Sequence, residues 1–399
     1  MARRPAPLSA LAVALVAAAL APGFADRSGP VRAGATSFTL VTSPVSQNPR
    51  LLEATDLDAD GIADLILLGA SADLFSQPRV HALLSDGDGG FTENWSRPQP
   101  PEFVGGFISQ SLSVADLDLD GFDDAATGFT AIEFGMRMGD GEGALPTFQQ
   151  DALFGGYSGD IGLGDYDLDG IPDVAHFTND IGPYVDWGIG LGDGQFSNVQ
   201  AGFTAGNPFD SDTLIEQADL DGDGGLDMVL ATNQGIEVSL GAKGFTPAAF
   251  VGFSEVWDGA TRGLVIADVA GDDALDLVFT RPFEDRVGVL TGHGDGTFVT
   301  PPRWFAVGDQ PNLIVVTELD GDGIPDAVVG NTLGSSVSVL FGASPGIFAP
   351  QVEIAVGPSP LGLAAADFDD DGDSDVAVAL SGSTDIVLLR NQLVPDGAD

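Results

Sequence analysis

Residues 165–173 read Asp165-Tyr166-Asp167-Leu168-Asp169-Gly170-Ile171-Pro172-Asp173, and six other stretches of the chain repeat that pattern. The acidic positions are Asp56, Asp58, Asp60 and Asp64 in the first copy, and Asp116, Asp118, Asp120 and Asp124 in the second. Asp165, Asp167, Asp169 and Asp173 form the third, and Asp219, Asp221, Asp223 and Asp227 the fourth. The fifth keeps Asp268, Asp272 and Asp276 but has Ala270 at its third position and Asp273 where the others have glycine. The sixth begins with a glutamate (Glu318, Asp320, Asp322, Asp326), and the seventh is Asp367, Asp369, Asp371 and Asp375. Successive copies start 60, 49, 54, 49, 50 and 49 residues apart. A near-constant period of about 50 residues is the mark of a solenoid, propeller or array.

What lies between the loops reads as β. In the third repeat, 161–164 is a short strand leading into the acidic loop, 174–178 a second strand and 184–191 a third, with Phe196 opening a fourth after Gly192-Asp193-Gly194. Strand-length runs bounded by Gly, Asp and Pro are the expected signal, and Asp-Gly between two of them favours a hairpin. Four antiparallel strands per repeat and seven repeats predict an all-β fold, a seven-bladed β-propeller of four-stranded antiparallel blades. The last repeat supplies only three strands, at 363–366, 376–379 and 386–389. Its fourth is expected from Ser37 to Val41, so that an N-terminal strand completes the last blade and closes the ring. Such a meander puts the acidic loops and the Gly-Asp-Gly turns on one face, and the loops between second and third strands on the other.

Acid at positions 1, 3, 5 and 9 with glycine at 6 has the chemistry of an oxygen cage for a hard cation. Calcium takes six to eight oxygens, whereas magnesium demands a stricter octahedron and zinc prefers Cys and His. The expectation is up to seven Ca2+ sites, position 9 closing each cage and the fifth loop the weakest. Solvated turns alone would not need four like charges in every loop.

Composition narrows the partners. The 399 residues carry 60 acidic and 14 basic side chains, a net charge of −46, with Lys243 the single lysine. Such a surface repels nucleic acid and anionic membranes. Cysteine is absent, which excludes disulfides and thiol catalysis. Arg3 and Arg4 followed by an apolar run from Leu8 to Leu20 resemble a secretory signal, too short to span a membrane comfortably. The expected organisation is a signal peptide at 1–25, a spacer at 26–36, the propeller at 37–392 and a tail at 393–399.

The acidic loops, together with Leu191-Gly192-Asp193-Gly194-Gln195-Phe196, 292–298 and 341–345, resemble FG-GAP repeats, also called VCBS repeats. That resemblance implies an integrin-α-like, calcium-stabilised propeller, usually secreted or surface-displayed. The family includes adhesion modules, sugar binders and polysaccharide-active proteins, so fold alone does not choose among them. His81, His176 and His293 lie in three different repeats with no catalytic constellation around them. The face opposite the acidic loops is expected to gather Phe75, Arg79, Trp95, Arg97, Tyr184, Trp257, Arg262, Arg281, Phe283 and Arg286. Of these, Trp257, Arg262, Tyr184 and Arg281 are the candidate ligand contacts. The expected function is non-catalytic binding of an extracellular glycan or protein by a monomer, with no membrane insertion. A polysaccharide lyase or hydrolase and a structural envelope component are the alternatives.

Overall fold

A computed structural model describes residues 37–392 apart from 71–78, 99–110, 129–133, 152–157, 179–183, 198–199, 205–213, 233–234, 242–245 and 253–260. Seven four-stranded sheets follow one another along the chain, each antiparallel. They cover 48–98, 111–151, 158–204, 214–252, 264–306, 311–355 and 360–392. The seventh takes its outer strand from the other end of the chain: Ser37–Pro44 pairs antiparallel with Asp385–Gln392, from Ser37 opposite Gln392 to Pro44 opposite Asp385. This is the ring closure that the sequence predicts, and it gives the last blade the same four strands as the others. Among the described residues the helical content is one short 3-10 turn, Pro282–Glu284.

Second strands are sandwiched between neighbouring blades and read as continuous apolar runs. Asp276–Arg281, Asp326–Asn331 and Asp375–Leu380 are buried at every residue. Inner strands instead divide their side chains between two neighbours. Leu112 packs with Ile66 and Trp95 of blade 1, whereas Ala115 packs with Leu163 and Val174 of blade 3. The closure seam is built the same way, with Leu52, Leu67 and Phe91 of blade 1 against Phe368, Ala379 and Leu388 of blade 7. Phe91 and Phe368 meet edge-on there, 5.2 Å between ring centres. At about 2 kcal/mol for each fully buried aliphatic or aromatic side chain, these inter-blade cores dominate stability.

Two details depart from the sequence reading. In blade 3 the fourth strand is Gln200–Thr204, and Phe196 makes only an isolated bridge to Gly190, which anchors the turn before the strand proper. In blade 6 a small extra hairpin, Gly342–Ser344 with Ile347–Phe348, sits between the third and outer strands.

Candidate metal centres

Each acidic loop joins the inner strand of a blade to the second, and its ninth residue is the first residue of that second strand. The loop folds on its own carboxylates. Asp56 accepts hydrogen bonds from the backbone N–H of Asp60 (3.2 Å) and Gly61 (3.1 Å), and Asp60 accepts one from Ile62 N–H (2.8 Å). The position-5 carboxylate takes the N–H two residues on in every loop, through Asp120, Asp169, Asp223, Asp272, Asp322 and Asp371. Such local turns are what Asp offers a backbone that is neither helix nor strand.

Two positions in each loop are left-handed. Position 6 has φ of +96° at Gly61 and +90° at Gly170, and a Cβ added at either would meet nothing within 4 Å, so conformation rather than space selects glycine. The fifth loop forces Asp273 into this position at φ +67°. Position 4 is left-handed as well, which the sequence did not signal, because it is occupied by Ala59, Leu119 and Leu168 as well as by glycine.

Position 9 is a buried bracket. Both Asp64 oxygens accept backbone N–H groups, from Leu57 in its own loop (2.9 Å) and from Ser85 at the end of the third strand (2.8 Å). The same pair recurs at Asp124 with Leu117 and Gly139, at Asp173 with Tyr166 and Gly190, and at Asp227 with Leu220 and Gly241. Asp276, Asp326 and Asp375 repeat it with Gly292, Gly342 and Asn391 on the third-strand side. Burial pushes the carboxyls of Asp64, Asp124 and Asp375 up to about 7 and that of Asp326 to about 8, although the backbone donors pull the other way. Position 9 therefore has a structural duty beyond the cage-closing role expected of it.

In loops one to four and six, one oxygen each from positions 1, 3 and 9 lie within 4.8 Å of one another: Asp56, Asp58 and Asp64 in the first, and Glu318, Asp320 and Asp326 in the sixth. Three carboxylates this close repel unless protonated or bridged by a cation. All the side-chain donors are carboxylate oxygens, the set a hard cation prefers. Glu318 shows the unused capacity directly. One of its oxygens accepts Asp320 and Gly321 N–H (3.0 and 2.7 Å), while the other is buried without a hydrogen-bond partner. The residues fit a divalent ion. In the fifth loop Ala270 offers no side-chain oxygen, and its N–H joins that of Val269 on Asp276 (both 2.9 Å). In the seventh, Asp369 is paired with Arg390, a cation supplied by the protein itself.

The acidic loops also stitch neighbouring blades. The position-2 carbonyls of Leu57, Leu117 and Val269 accept N–H groups of Gly143, Gly194 and Gly346 in the next blade's third-to-outer connection. Leu319 and Phe368 accept Asn391 Nδ2 (2.8 Å) and Ser85 Oγ (2.6 Å). The last of these crosses the seam from blade 1 to blade 7.

Of the residues expected on the opposite face, Phe75 and Trp257 lie outside the described residues. Tyr184 opens the third strand of blade 3. Arg262 and Phe283 are exposed, but Arg281 is buried, with its guanidinium on Glu284 (3.0 and 2.6 Å). Arg286 shares Glu284 and lies over Trp304, 3.8 Å from the ring centre. Arg79 donates to Ser96 Oγ (2.8 Å), and Arg97 and Arg137 stack on the buried Trp95. His81 and His176 are buried, and burial lowers both, His176 to about 4, so they stay neutral. His293 is exposed in its turn.

Sequence reasoning missed three acids on inner strands. Glu53, Asp160 and Glu216 lie in blades 1, 3 and 4, each partly buried in a mainly apolar stretch. Burial raises all three carboxyls, and Asp160 raises those of Glu53 and Glu216 further. A glutamate three residues before an acidic loop, at a position that is Val265 or Val315 elsewhere, was the available signal.

Residues 39–127 and 318–378 match the family model described as FG-GAP-like repeat. No curated protein matches the chain. Solved structures share the fold at low identity. A lectin from Agrocybe aegerita that recognises non-reducing terminal N-acetylglucosamine is 18% identical, with TM-score 0.55 and 86% of each chain covered. Virginiamycin B lyase from Staphylococcus aureus is 15% identical, with TM-score 0.57, 90% of this chain and 100% of that one covered. BBS1N in complex with ARL6DN is 11% identical, with TM-score 0.59 and 90% and 96% covered.

Proposed function

Taking the chain as an FG-GAP-like repeat β-propeller, we propose that it is an exported, calcium-pinned recognition module that binds a glycan or protein ligand as a monomer and carries no catalytic centre. The observation behind this reading is the repeated convergence of three carboxylate oxygens within 4.8 Å. Calcium accepts the irregular, oxygen-rich donor set of a flexible loop better than magnesium does. Positions 1, 3 and 9 would hold the ion, and its charge would relieve the repulsion among them. Position 9 would carry the effect inward, because it also grips the end of the third strand. Export accords with the basic start and apolar run at 3–20, and among the described residues no helix is long and apolar enough to cross a membrane.

Binding without catalysis suits the two strand histidines, which are buried and neutral. Similar propellers include a lectin and a lyase, so the fold is compatible with either activity. A glycan array probed in calcium and again in chelator tests the proposal. Binding in calcium that disappears in chelator supports it. Products released from a polysaccharide panel would overturn the non-catalytic part, and an array silent in both conditions would remove the glycan ligand.

A further inference from the structure

The chain has only 14 basic side chains against 60 acidic ones, yet three arginines meet at the end of one strand. Phe91–Pro98 is the outermost strand of blade 1, paired along one edge only. Arg79 and Arg97 both donate to the Ser96 carbonyl (3.3 and 3.0 Å), so their donating nitrogens lie within two hydrogen-bond lengths of each other. Arg137, on the third strand of blade 2, crosses the blade boundary to donate to Pro98 O (2.8 Å). Carbonyls two residues apart on an extended strand point to the same edge, so the three guanidiniums line one edge of this strand. They sit at its end away from the acidic loop, because Asp64 grips Ser85, which pairs with Phe91 at the other end.

Arginine on a strand edge has an ordinary use, which is to deter edge-to-edge pairing. Arg137 does not serve it. The residue is 5% exposed, and its guanidinium lies 5.2 Å from the ring centres of both Trp95 and Phe148. Its Nε is buried without a hydrogen-bond partner, as is Nε1 of Trp95. Arg97 lies over the same indole, 5.5 Å from its centre. None of the three arginines has a carboxylate partner among the described ion pairs. Burial pushes the Arg137 guanidinium down to about 10, and the charge on Arg97 pushes the same way. A desolvated cation beside a second cation, with no acid to offset either, is a costly arrangement that an arriving oxyanion would relieve. The planar fork of arginine suits the paired oxygens of a carboxylate or a sulfate ester.

We propose that this edge binds the oxyanion of an acidic sugar, held between Arg97 and Arg137 with Arg79 adding charge at the Ser96 end. The half-buried Phe148 supplies apolar surface beside it. A net charge of −46 opposes a polyanion, which favours one charged group on an otherwise neutral ligand. The assignment rests on the glycan reading above and specifies it.

The test is titration with glucuronate, galactose 6-sulfate, glucose and inorganic sulfate in calcium-containing buffer. Calorimetry follows binding, with tryptophan fluorescence as a second readout because Trp95 contacts both guanidiniums. At least one acidic sugar should bind and glucose should not, and Arg97→Gln and Arg137→Met should each weaken the acidic sugar by about ten-fold or more. Arg97 is exposed, so Arg97→Gln should keep the wild-type melting temperature, and Arg137→Met retains a stem between the rings. Unchanged affinity in either variant would overturn the proposal, as would glucose binding as tightly as the acidic sugars. Failure of both acidic sugars to bind would overturn it too, even if inorganic sulfate binds through Arg97. These results would leave the glycan reading itself standing, since its failure shows as a silent array.

Discussion

Replacing Asp276 by alanine separates the two duties of the ninth loop residue. Its carboxylate accepts three backbone N–H groups, from Val269 and Ala270 at 2.9 Å and Gly292 at 2.8 Å, and the side chain is fully buried. Hydrogen bonds to a charged group contribute about 1.5–3 kcal/mol each, and an orphaned buried donor costs about 1–3 kcal/mol. The three are not additive. Part of the loss is offset because burying this carboxyl is itself unfavourable, as its rise to about 6 shows. A net destabilisation of about 3–4 kcal/mol remains. Urea unfolding above neutral pH, in calcium and in chelator, is the assay. Because the fifth loop lacks a carboxylate at Ala270, the loss should be nearly the same in both. Asp58→Asn in the first loop should instead cost stability only when calcium is present. A loss at Asp276 confined to calcium would refute the bracket and make position 9 purely a ligand.

Other expectations follow from the loops. Leu168→Asn should stabilise the protein by about 0.5–1 kcal/mol, since Leu168 is exposed at φ +63° and Asn tolerates that region; a loss in chemical denaturation would mean the leucine packs usefully. Arg390→Met should raise cation affinity at the seventh loop several-fold by freeing Asp369, measured by calorimetry against an Asp369→Asn control; an unchanged titration would contradict it. The pH dependence has a definite sign. Asp64, Asp124, Asp326 and Asp375 are raised to about 7–8 when metal-free, so their contribution is complete below the unfolded value of about 4 and is lost as pH rises through 7–8. Melting temperature in chelator should therefore fall from acidic to mildly alkaline pH, and saturating calcium should flatten or reverse the fall because the ion binds the ionised form. A rise in chelator would contradict the sign.

Much of the architecture was legible because each blade repeats one local rule. Gly170 and its counterparts mark the turn, the apolar runs after each Asp at position 9 mark the second strands, and Ser37–Pro44 supplies the strand that blade 7 lacks. What escaped was long-range or disguised. The grip of Asp64 on Ser85 N–H joins residues 21 positions apart, and no pattern in the loop announces it. The left-handed position 4 was hidden because Leu119 and Leu168 stand where glycine would have signalled it. Glu53, Asp160 and Glu216 lie on the inner strands of three different blades, and the contact of Asp160 with Ile215 N–H joins residues 55 positions apart. Arg281 was expected as a ligand contact, but the turn at Pro282–Glu284 brings Glu284 back onto its guanidinium.

Calcium titration of the metal-stripped protein, followed by melting temperature, bears most directly on the claim that divalent ions pin this ring. The account predicts a large, saturable rise, since an ion that binds only the folded state stabilises it by RT ln(1 + [L]/Kd). A melting temperature indifferent to both calcium and chelator would contradict it.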